Sequence, residues 1–280
     1  MLTVNRLLST ETEARRTLVD MPEGDTIHYA AGRIRPVLEG HVPDELATPH
    51  PRFTRDRWPE RLAGRAVRSV DAHGKHLFLR FEGDLTIHSH LRMTGSWRVF
   101  EAGRRWTRSS RAAWLVLRRG GSEVVQFNGP VLELMTESRT RFDQRIAALG
   151  PDILAPEFDY ERYLRRLRAD DPTRPIGDAV LEQRTVAGIG NMWKVEACFE
   201  AGIDPWRPAG KVSDDEAVAI VDAARPRMQQ AARDGNQRRH RRIYGRAGRP
   251  CPRCGAVSLI RAQGQGDHNR ATFWCPRCQS

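Results

Sequence analysis

Two pairs of cysteines near the carboxyl end constrain the fold of this chain more than any other feature. They stand as Cys251-Pro-Arg-Cys254 and Cys275-Pro-Arg-Cys278, with 20 residues between the pairs. Thiolates at this spacing form a tetrahedral Zn²⁺ site that joins two knuckles, with a hairpin between them. The metal supplies the folding energy that so short a segment lacks. Because four cysteines leave no position open for water, we predict one structural zinc ion per chain and no catalytic one.

The charge of the chain indicates a polyanionic partner. Its 280 residues include 46 Lys and Arg against 35 Asp and Glu, a formal net charge of +11. Such an excess predicts attraction to nucleic acid, although it does not predict a fold. No run of 18 apolar residues occurs, which argues against a membrane span. The paired cysteines favour a reducing cytoplasm and, with the charge, a nucleoid-associated location, while the fifth cysteine, Cys198, is expected to be a buried apolar residue.

The first 20 residues need a separate interpretation. They contain no apolar segment of signal-peptide length, and Met21 then begins a second possible translation start with the sequence MPEGDTIH. We expect residues 1–20 to be either a disordered extension or the product of a misassigned start.

Hydrophobic periodicity predicts a helix followed by a run of strands. Apolar residues at helical spacing indicate a helix from an N-cap at Asp25 to about Leu38, ended by Gly40. After it, six short segments with a period near two predict an antiparallel sandwich or barrel. These predicted strands are Ala66–Val70, His76–Phe81, Leu85–His90, Trp97–Phe100, Ala113–Leu117 and Val124–Phe127.

Beyond Arg139 the pattern becomes helical. The predicted helices are Phe142–Leu149, Tyr160–Arg168, Ile176–Gln183, Met192–Ala201 and Asp214–Ala232. The expected fold class is therefore α+β. It has an amino-terminal antiparallel β-sandwich with flanking helices over 21–138, a helical domain over 139–240 and a four-cysteine zinc finger hairpin over 241–280.

Three polar residues in turns are candidates for binding phosphate, and each has an ordinary structural alternative. Asn191 follows the glycine-rich turn 186–190 and is predicted to cap the next helix, where exposed amides bind anions. A capping asparagine without a ligand would look the same. Lys75, one of only three lysines, enters a strand from the turn Gly74-Lys75-His76, although a turn lysine is usually solvated. Arg270 lies just ahead of the second cysteine pair, where a solvated arginine is the alternative.

These motifs occur together, in the same order, in a known family. The chain has MPEG at Met21, the turn around Lys75, the segment VAGIGN that ends at Asn191, and the four-cysteine finger. Over residues 21–280 it resembles the formamidopyrimidine-DNA glycosylase and endonuclease VIII family, and PEGDTIH is closer to the endonuclease VIII branch. The resemblance implies a helix–two-turn–helix motif in the helical domain. It also implies a monomeric enzyme of base excision repair, a DNA glycosylase and abasic-site (AP) lyase that acts on damaged double-stranded DNA.

The resemblance further implies roles for individual residues. The family's nucleophile is an N-terminal proline, here Pro22, whose amine attacks C1′ of the damaged nucleotide and forms a Schiff base. An α-amino group titrates near neutrality, so far more of it is free than of a lysine side chain. Glu23 matches the residue that protonates the opening sugar. Lys75 matches a lysine that contacts phosphate and assists β-elimination. Arg270 matches the finger arginine associated with δ-elimination, and Asn191 a phosphate-binding asparagine.

A side chain must fill the space that an extruded base leaves in the duplex. The matching loop of the β domain contains Leu91, Arg92 and Met93, which are apolar or long enough to insert between bases. They differ from the Gln-Leu-Tyr of some endonuclease VIII proteins. The structural alternative for Leu91 and Met93 is the core of a strand.

Activity depends on residues 1–20 for a chemical reason. While they are attached, the nitrogen of Pro22 is a tertiary amide that cannot form a Schiff base, so we expect translation to begin at Met21. The leading prediction is removal of oxidised pyrimidines and cleavage of abasic sites by β,δ-elimination. The alternatives are an 8-oxoguanine or formamidopyrimidine glycosylase, a non-catalytic damaged-DNA binder if residues 1–20 are retained, and a zinc-ribbon transcription or translation factor.

Overall fold

The computed structural model describes residues 21–280, apart from the side chains of Thr54, Ala256 and Val257, so the predicted extension at 1–20 lies outside the described residues. The described chain forms two compact units. One contains Met21–Leu149 and Ala232–Gly235, and the other contains Gly150–Ala231 and Asn236–Ser280. The four-cysteine segment thus shares a unit with the helical region, whereas the sequence predicted boundaries at 138 and 240.

The first unit is a sandwich of two antiparallel sheets. Its strands are β1 Glu45–Ala47, β2 Val67–His73, β3 His76–Phe81, β4 Leu85–His90, β5 Ser96–Glu101, β6 Ala113–Arg119, β7 Ser122–Phe127 and β8 Val131–Thr136. The sheet orders are β2-β3-β4-β8 and β1-β6-β7-β5. One core of buried apolar side chains joins both sheets and the first helix. The sequence missed β1, which has only three residues, and β8, which follows Pro130.

The first helix, α1, spans Gly24–Leu38. The predicted N-cap at Asp25 was wrong, because Glu23 is the N-cap and Asp25 lies in the first turn. There the negative charge of Asp25 still interacts favourably with the positive end of the helix dipole. The predicted apolar face was right: Ile27, Ala30, Ala31, Ile34 and Leu38 are all buried.

Three further helices belong to the first unit. They are α2 Trp58–Leu62, α3 Glu137–Phe142 and α4 Gln144–Ala147. A single helix over Phe142–Leu149 was therefore a wrong prediction. Asp143 leaves helical geometry between α3 and α4, and its carboxylate caps α4 by accepting the Arg145 backbone N–H at 2.9 Å.

The second unit contains the remaining helices and the four-cysteine segment. Its helices are α5 Tyr160–Arg168, α6 Ile176–Ala179, α7 Asn191–Ala201 and α8, which begins in this unit and spans Asp214–Asp234. The short strands are β9 Pro250–Cys251, β10 Gly255–Leu259, β11 Arg261–Gln265 and β12 Arg270–Trp274. Helix α6 is shorter than predicted because the Gln183 side chain donates to the carbonyls of Leu181 and Ile189, which fixes a turn there instead. Within residues 21–280 no helix is long and apolar enough to cross a membrane.

Candidate active site

Pro22 and Glu23 lie at the amino end of α1. Pro22 is half-buried, whereas Glu23 is only 2% exposed. The Glu23 carbonyl accepts the N–H groups of Thr26 and Ile27 at 3.1 and 3.3 Å, so the helix fixes the backbone that carries both candidate residues. The positive end of the helix dipole favours the uncharged form of an amine at this position.

Lys75 and the candidate wedge loop lie at one end of the β2-β3-β4-β8 sheet. His73 pairs with His76 across the two-residue turn that contains Lys75, and Gly74 in that turn has a φ of +56°. His76 in turn pairs with His90, the residue before Leu91. The β-register therefore brings Lys75 and the loop after β4 together.

The three candidate wedge residues in the loop at 91–95 differ in how far their side chains are exposed. Leu91 is 1% exposed and belongs to the sandwich core, which is the alternative that its sequence context left open. Met93 is 57% exposed and Arg92 is also exposed, with a φ of +50°. The Gly95 N–H donates to the Leu91 carbonyl at 2.9 Å, and a Cβ at Gly95 would lie 2.8 Å from that oxygen, so glycine is required for this tight loop.

Beside Lys75 the structure places a chain of polar side chains that the sequence reading missed. His76 Nδ1 lies 2.8 Å from His88 Nε2, and His88 Nδ1 lies 3.4 Å from a Glu133 oxygen. Arg145 donates to Glu133 at 2.8 Å. The only sequence signal was the spacing of His88 and His90, which are two residues apart and therefore share one face of β4. The other partners are brought together by strand pairing.

Burial keeps the histidines in and beside this hydrogen-bonded network neutral. It lowers the pKa of His76 to about 2, with further lowering by the neighbouring His90, His88, His73 and Arg145. Burial also lowers the pKa of His90 to about 4, with contributions from Arg92 and Lys75. The His90 ring accepts the Arg92 backbone N–H at its Nδ1, at 3.1 Å, which only an unprotonated nitrogen can do.

We expect this cluster to make stability fall with pH below about 6.5. The unfolded chain binds protons at its histidines there, whereas the folded chain excludes them, so folding is favoured at higher pH. Since each excluded proton is worth about 1.4 kcal/mol per pH unit, His76→Phe should reduce the pH slope of the free energy of unfolding by about that amount. Urea unfolding at several pH values between about 5 and 7 measures this slope. The exposed His41→Phe is the control, and an unchanged slope in His76→Phe would contradict the expectation.

Asn191 lies in the second unit, at the start of α7. It is the first helical residue rather than the predicted N-cap, which is Gly190. Gly188 has a φ of +107°, and its N–H donates to the Gln183 side chain at 3.0 Å, so the turn is held by Gln183. The Asn191 amide donates to the Ala271 carbonyl at 2.8 Å. Asn191 therefore contacts the strand that carries Arg270.

A buried lysine on α7 makes a second link to the same strand pair. Lys194 is 0% exposed, and its ammonium donates to Gln265 Oε1 at 2.8 Å and to Thr272 Oγ1 at 2.5 Å. Gln265 is the cross-strand partner of Arg270. Because a buried charge is costly without such partners, this contact fixes the β11–β12 hairpin against α7.

Arg270 is exposed at the start of β12. Within residues 21–280 no hydrogen bond or ion pair of its guanidinium is present. Asn269, just before it, has a φ of +46° in the turn between β11 and β12. The side chain is thus available to an anion, and a solvated arginine remains the structural alternative.

The four paired cysteines lie close enough together to hold one metal ion. Their sulfur atoms all lie within 4.8 Å of one another, with Cys251 Sγ 3.9 Å from Cys278 Sγ and Cys254 Sγ 3.7 Å from Cys275 Sγ. A tetrahedral zinc ion with bonds of 2.3 Å requires sulfur separations of about 3.8 Å. The residues therefore fit a four-thiolate zinc site. Cys198, by contrast, is buried in α7, as predicted.

Family models match both units of the chain. The model for the formamidopyrimidine-DNA glycosylase N-terminal domain matches residues 21–130, and the model for the formamidopyrimidine-DNA glycosylase H2TH domain matches residues 149–241. The chain is 43% identical over 270 residues to a probable endonuclease 8 2 of Streptomyces coelicolor, with 93% of this chain and 94% of that protein covered.

A second relative supports the same family, and a solved structure shows the same fold. The chain is 36% identical to the DNA-(apurinic or apyrimidinic site) lyase Nei2 of Mycolicibacterium smegmatis, covering 93% of this chain and 99% of that protein. Its fold is similar to that of Lactococcus lactis Fpg in complex with DNA that contains N7-benzyl-Fapy-dG, with a TM-score of 0.77, 22% identity, and 92% and 100% of the two chains covered. The chain therefore belongs to the formamidopyrimidine-DNA glycosylase and endonuclease VIII family of DNA glycosylases and AP lyases, near its endonuclease VIII branch.

Proposed function

We propose that this chain removes oxidised pyrimidines from double-stranded DNA and cleaves the resulting abasic site, using Pro22 as the nucleophile once Pro22 is the first residue. The observation that carries the proposal is the position of Pro22 and the buried Glu23 together at the amino end of α1. Because the backbone holds the two groups side by side, the secondary amine can attack a sugar carbon while the carboxyl group donates a proton to the same sugar.

The proposed reaction has five steps: displacement of the base, opening of the sugar, two eliminations and hydrolysis. The Pro22 nitrogen bonds to C1′, and the damaged base leaves with the electron pair of the glycosidic bond and takes up the proton that the Pro22 amine loses. Glu23 gives a proton to the ring oxygen O4′ as the sugar opens, which leaves an iminium ion between Pro22 and C1′. Loss of a proton from C2′ then expels the 3′ phosphate, and loss of a proton from C4′ expels the 5′ phosphate. Water finally hydrolyses the iminium and frees the enzyme.

The remaining candidate residues bind DNA in this proposal. Lys75, Arg270 and Asn191 contact phosphate groups, and the exposed Met93 fills the space left by the extruded base. A zinc ion held by the four cysteines would supply folding energy to the β9–β12 segment and would take no part in the bond changes.

A Glu23→Gln variant tests whether Glu23 is the proton donor. With protein that begins at Pro22, we expect excision of thymine glycol to fall by about 100-fold or more in this variant, because glutamine cannot donate the proton. Incision of duplexes that carry thymine glycol, an abasic site or 8-oxoguanine opposite cytosine is followed on gels. Glu60→Gln, an exposed change in α2, is the control.

The lesion panel also decides between the proposal and its alternatives. Faster incision at 8-oxoguanine than at thymine glycol would assign the chain to the 8-oxoguanine alternative. Tight, salt-sensitive binding without incision of any duplex would support a non-catalytic binder, since phosphate contacts alone release counterions.

A further inference from the structure

The connection between β5 and β6 concentrates positive charge on the first unit. We call residues 102–112, which form this connection, the crossover loop. It has no acidic residue, and its four arginines are Arg104, Arg105, Arg108 and Arg111. All four are exposed. Arg104 lies 3.8 Å from Glu101, whereas the other three form no ion pair within residues 21–280. Arginines without acidic partners favour an anionic ligand.

The strand register places the end of the crossover loop beside the candidate wedge loop. Phe127 of β7 pairs with Ser96 at the start of β5 and with Ala113 at the start of β6, so both strands begin at the same end of the sheet. The crossover loop therefore runs from the far end of the sheet back to the end where the wedge loop lies. A direct contact joins the two loops, because the Arg108 guanidinium donates to the Thr94 carbonyl at 3.1 Å.

One tryptophan fixes the crossover loop on the sheet. The Trp106 indole N–H donates to Glu123 at 2.8 Å, and its ring centroid lies 5.7 Å from that of Phe127. The loop borders an open cavity of about 770 Å³, which is lined by residues 103–110 and Glu123. The Glu123 carboxylate also accepts from Arg118 at 2.7 Å, so this one acidic group is already neutralised. The lining of the cavity therefore keeps an excess of positive charge.

The two ends of this sheet differ in the chemistry that they offer. At the far end Arg118 lies 2.6 Å from Glu45, and Arg119 lies 3.8 Å from Asp44, so acidic residues neutralise both arginines. Toward the wedge loop the crossover loop adds exposed hydroxyl groups, on Thr107, Ser109 and Ser110. Arginine, serine and threonine side chains are groups that bind the phosphate oxygens of DNA.

We propose that the crossover loop is a further phosphate-binding surface, which holds the backbone of the DNA duplex beside the space that Met93 fills. The inference rests on the proposed function, which supplies the duplex and inserts the wedge loop into it. It adds Arg105 and Arg111 as DNA contacts. Arg108 ties this surface to the wedge loop through Thr94.

The salt dependence of DNA binding counts these contacts. In a variant that combines Arg105→Gln with Arg111→Gln, the slope of log Kd against log salt concentration should fall by about 2, since each lost phosphate contact removes about 0.9. Affinity at about 0.1 M salt should fall by about 10-fold. Fluorescence anisotropy measures both, with protein that begins at Pro22 and a duplex that carries tetrahydrofuran, an abasic-site analogue that cannot be cleaved.

Two further variants are matched controls. Arg105→Lys combined with Arg111→Lys keeps both charges and should keep the slope. Arg33→Gln combined with Arg61→Gln removes the same charge from exposed positions of α1 and α2 in the same unit, and should change the slope by less than about 0.5. All three variants should keep the wild-type midpoint of urea unfolding, because none of the replaced side chains is buried.

Neutral backbone groups locate the contacts on the DNA. A methylphosphonate replaces one phosphate at a time on either strand of the duplex. Positions where the wild type loses affinity, and the Arg105→Gln, Arg111→Gln variant does not, are the phosphates that the loop binds.

Three results would overturn the inference: an unchanged salt slope in the Arg105→Gln, Arg111→Gln variant, an equal fall in the Arg33→Gln, Arg61→Gln control, or equal losses in wild type and variant at every methylphosphonate. Wild-type binding that does not distinguish the abasic-site duplex from an undamaged one would instead count against the proposed function. The two failures are therefore distinguishable.

Discussion

Protein that begins at Pro22 should be trapped covalently on abasic-site DNA by borohydride, whereas the 280-residue chain should give no adduct. Borohydride reduces the iminium bond between a protein amine and C1′, so an adduct reports the Schiff base itself. In the longer chain the nitrogen lone pair of Pro22 is delocalised into the amide with Met21, and it cannot attack. The expected difference in trapping is the largest that we predict for this protein.

The control is a form with one glycine placed before Pro22. It keeps a free α-amine, but moves that amine by one residue, about 3.8 Å along the chain, and blocks the proline nitrogen. We expect this form to bind abasic-site DNA and to trap poorly. Efficient trapping of the 280-residue chain would contradict the assignment of Pro22, because the nucleophile would then have to be another amine, such as the Lys75 side chain or the α-amine of Met1.

Local patterns predicted those elements whose cause is local. The bounds of β3, β4 and α5 match the sequence prediction, because alternation and helical spacing are complete within each segment. The family, the α+β fold class and the four clustered cysteines were also predicted, and the comparisons and the geometry confirm them. By contrast, the predicted helix at 142–149 is interrupted, because the side chain of Asp143 competes with the helical backbone.

Long-range pairing explains what the sequence could not predict. Glu133 and His88 are 45 residues apart, and only the β4–β8 register makes them partners. Asn191 was predicted from the helix that it begins, yet its amide bonds a strand 80 residues later. Leu91 and Met93 have the same apolar character in sequence, and only the fold separates a core residue from an exposed one. The roles of Pro22, Lys75, Asn191 and Arg270 stay predictions.

Loss of the zinc site should have a large effect that extends beyond the finger. Without four thiolates around one ion, the short β9–β12 segment has too small a core to fold, so Cys254→Ser should release the β11–β12 hairpin. The buried ammonium of Lys194 then loses Gln265 and Thr272, and the amide of Asn191 loses Ala271. We expect DNA affinity to fall by about 100-fold, since phosphate contacts depend on fixed geometry.

Hydrogen exchange read by mass spectrometry can locate this effect. Protection should be lost in 255–274 and also in the first turns of α7, while β3 and β4 in the other unit keep theirs. Cys198→Ala is the control, because it removes a buried cysteine of α7 that is no part of the metal centre. If Cys254→Ser lost zinc but kept full protection at the start of α7, the hairpin would not be what orders Asn191. The Gln183 turn alone would then hold Asn191 in place. DNA affinity should in that case fall only by the amount that loss of the Arg270 phosphate contact causes.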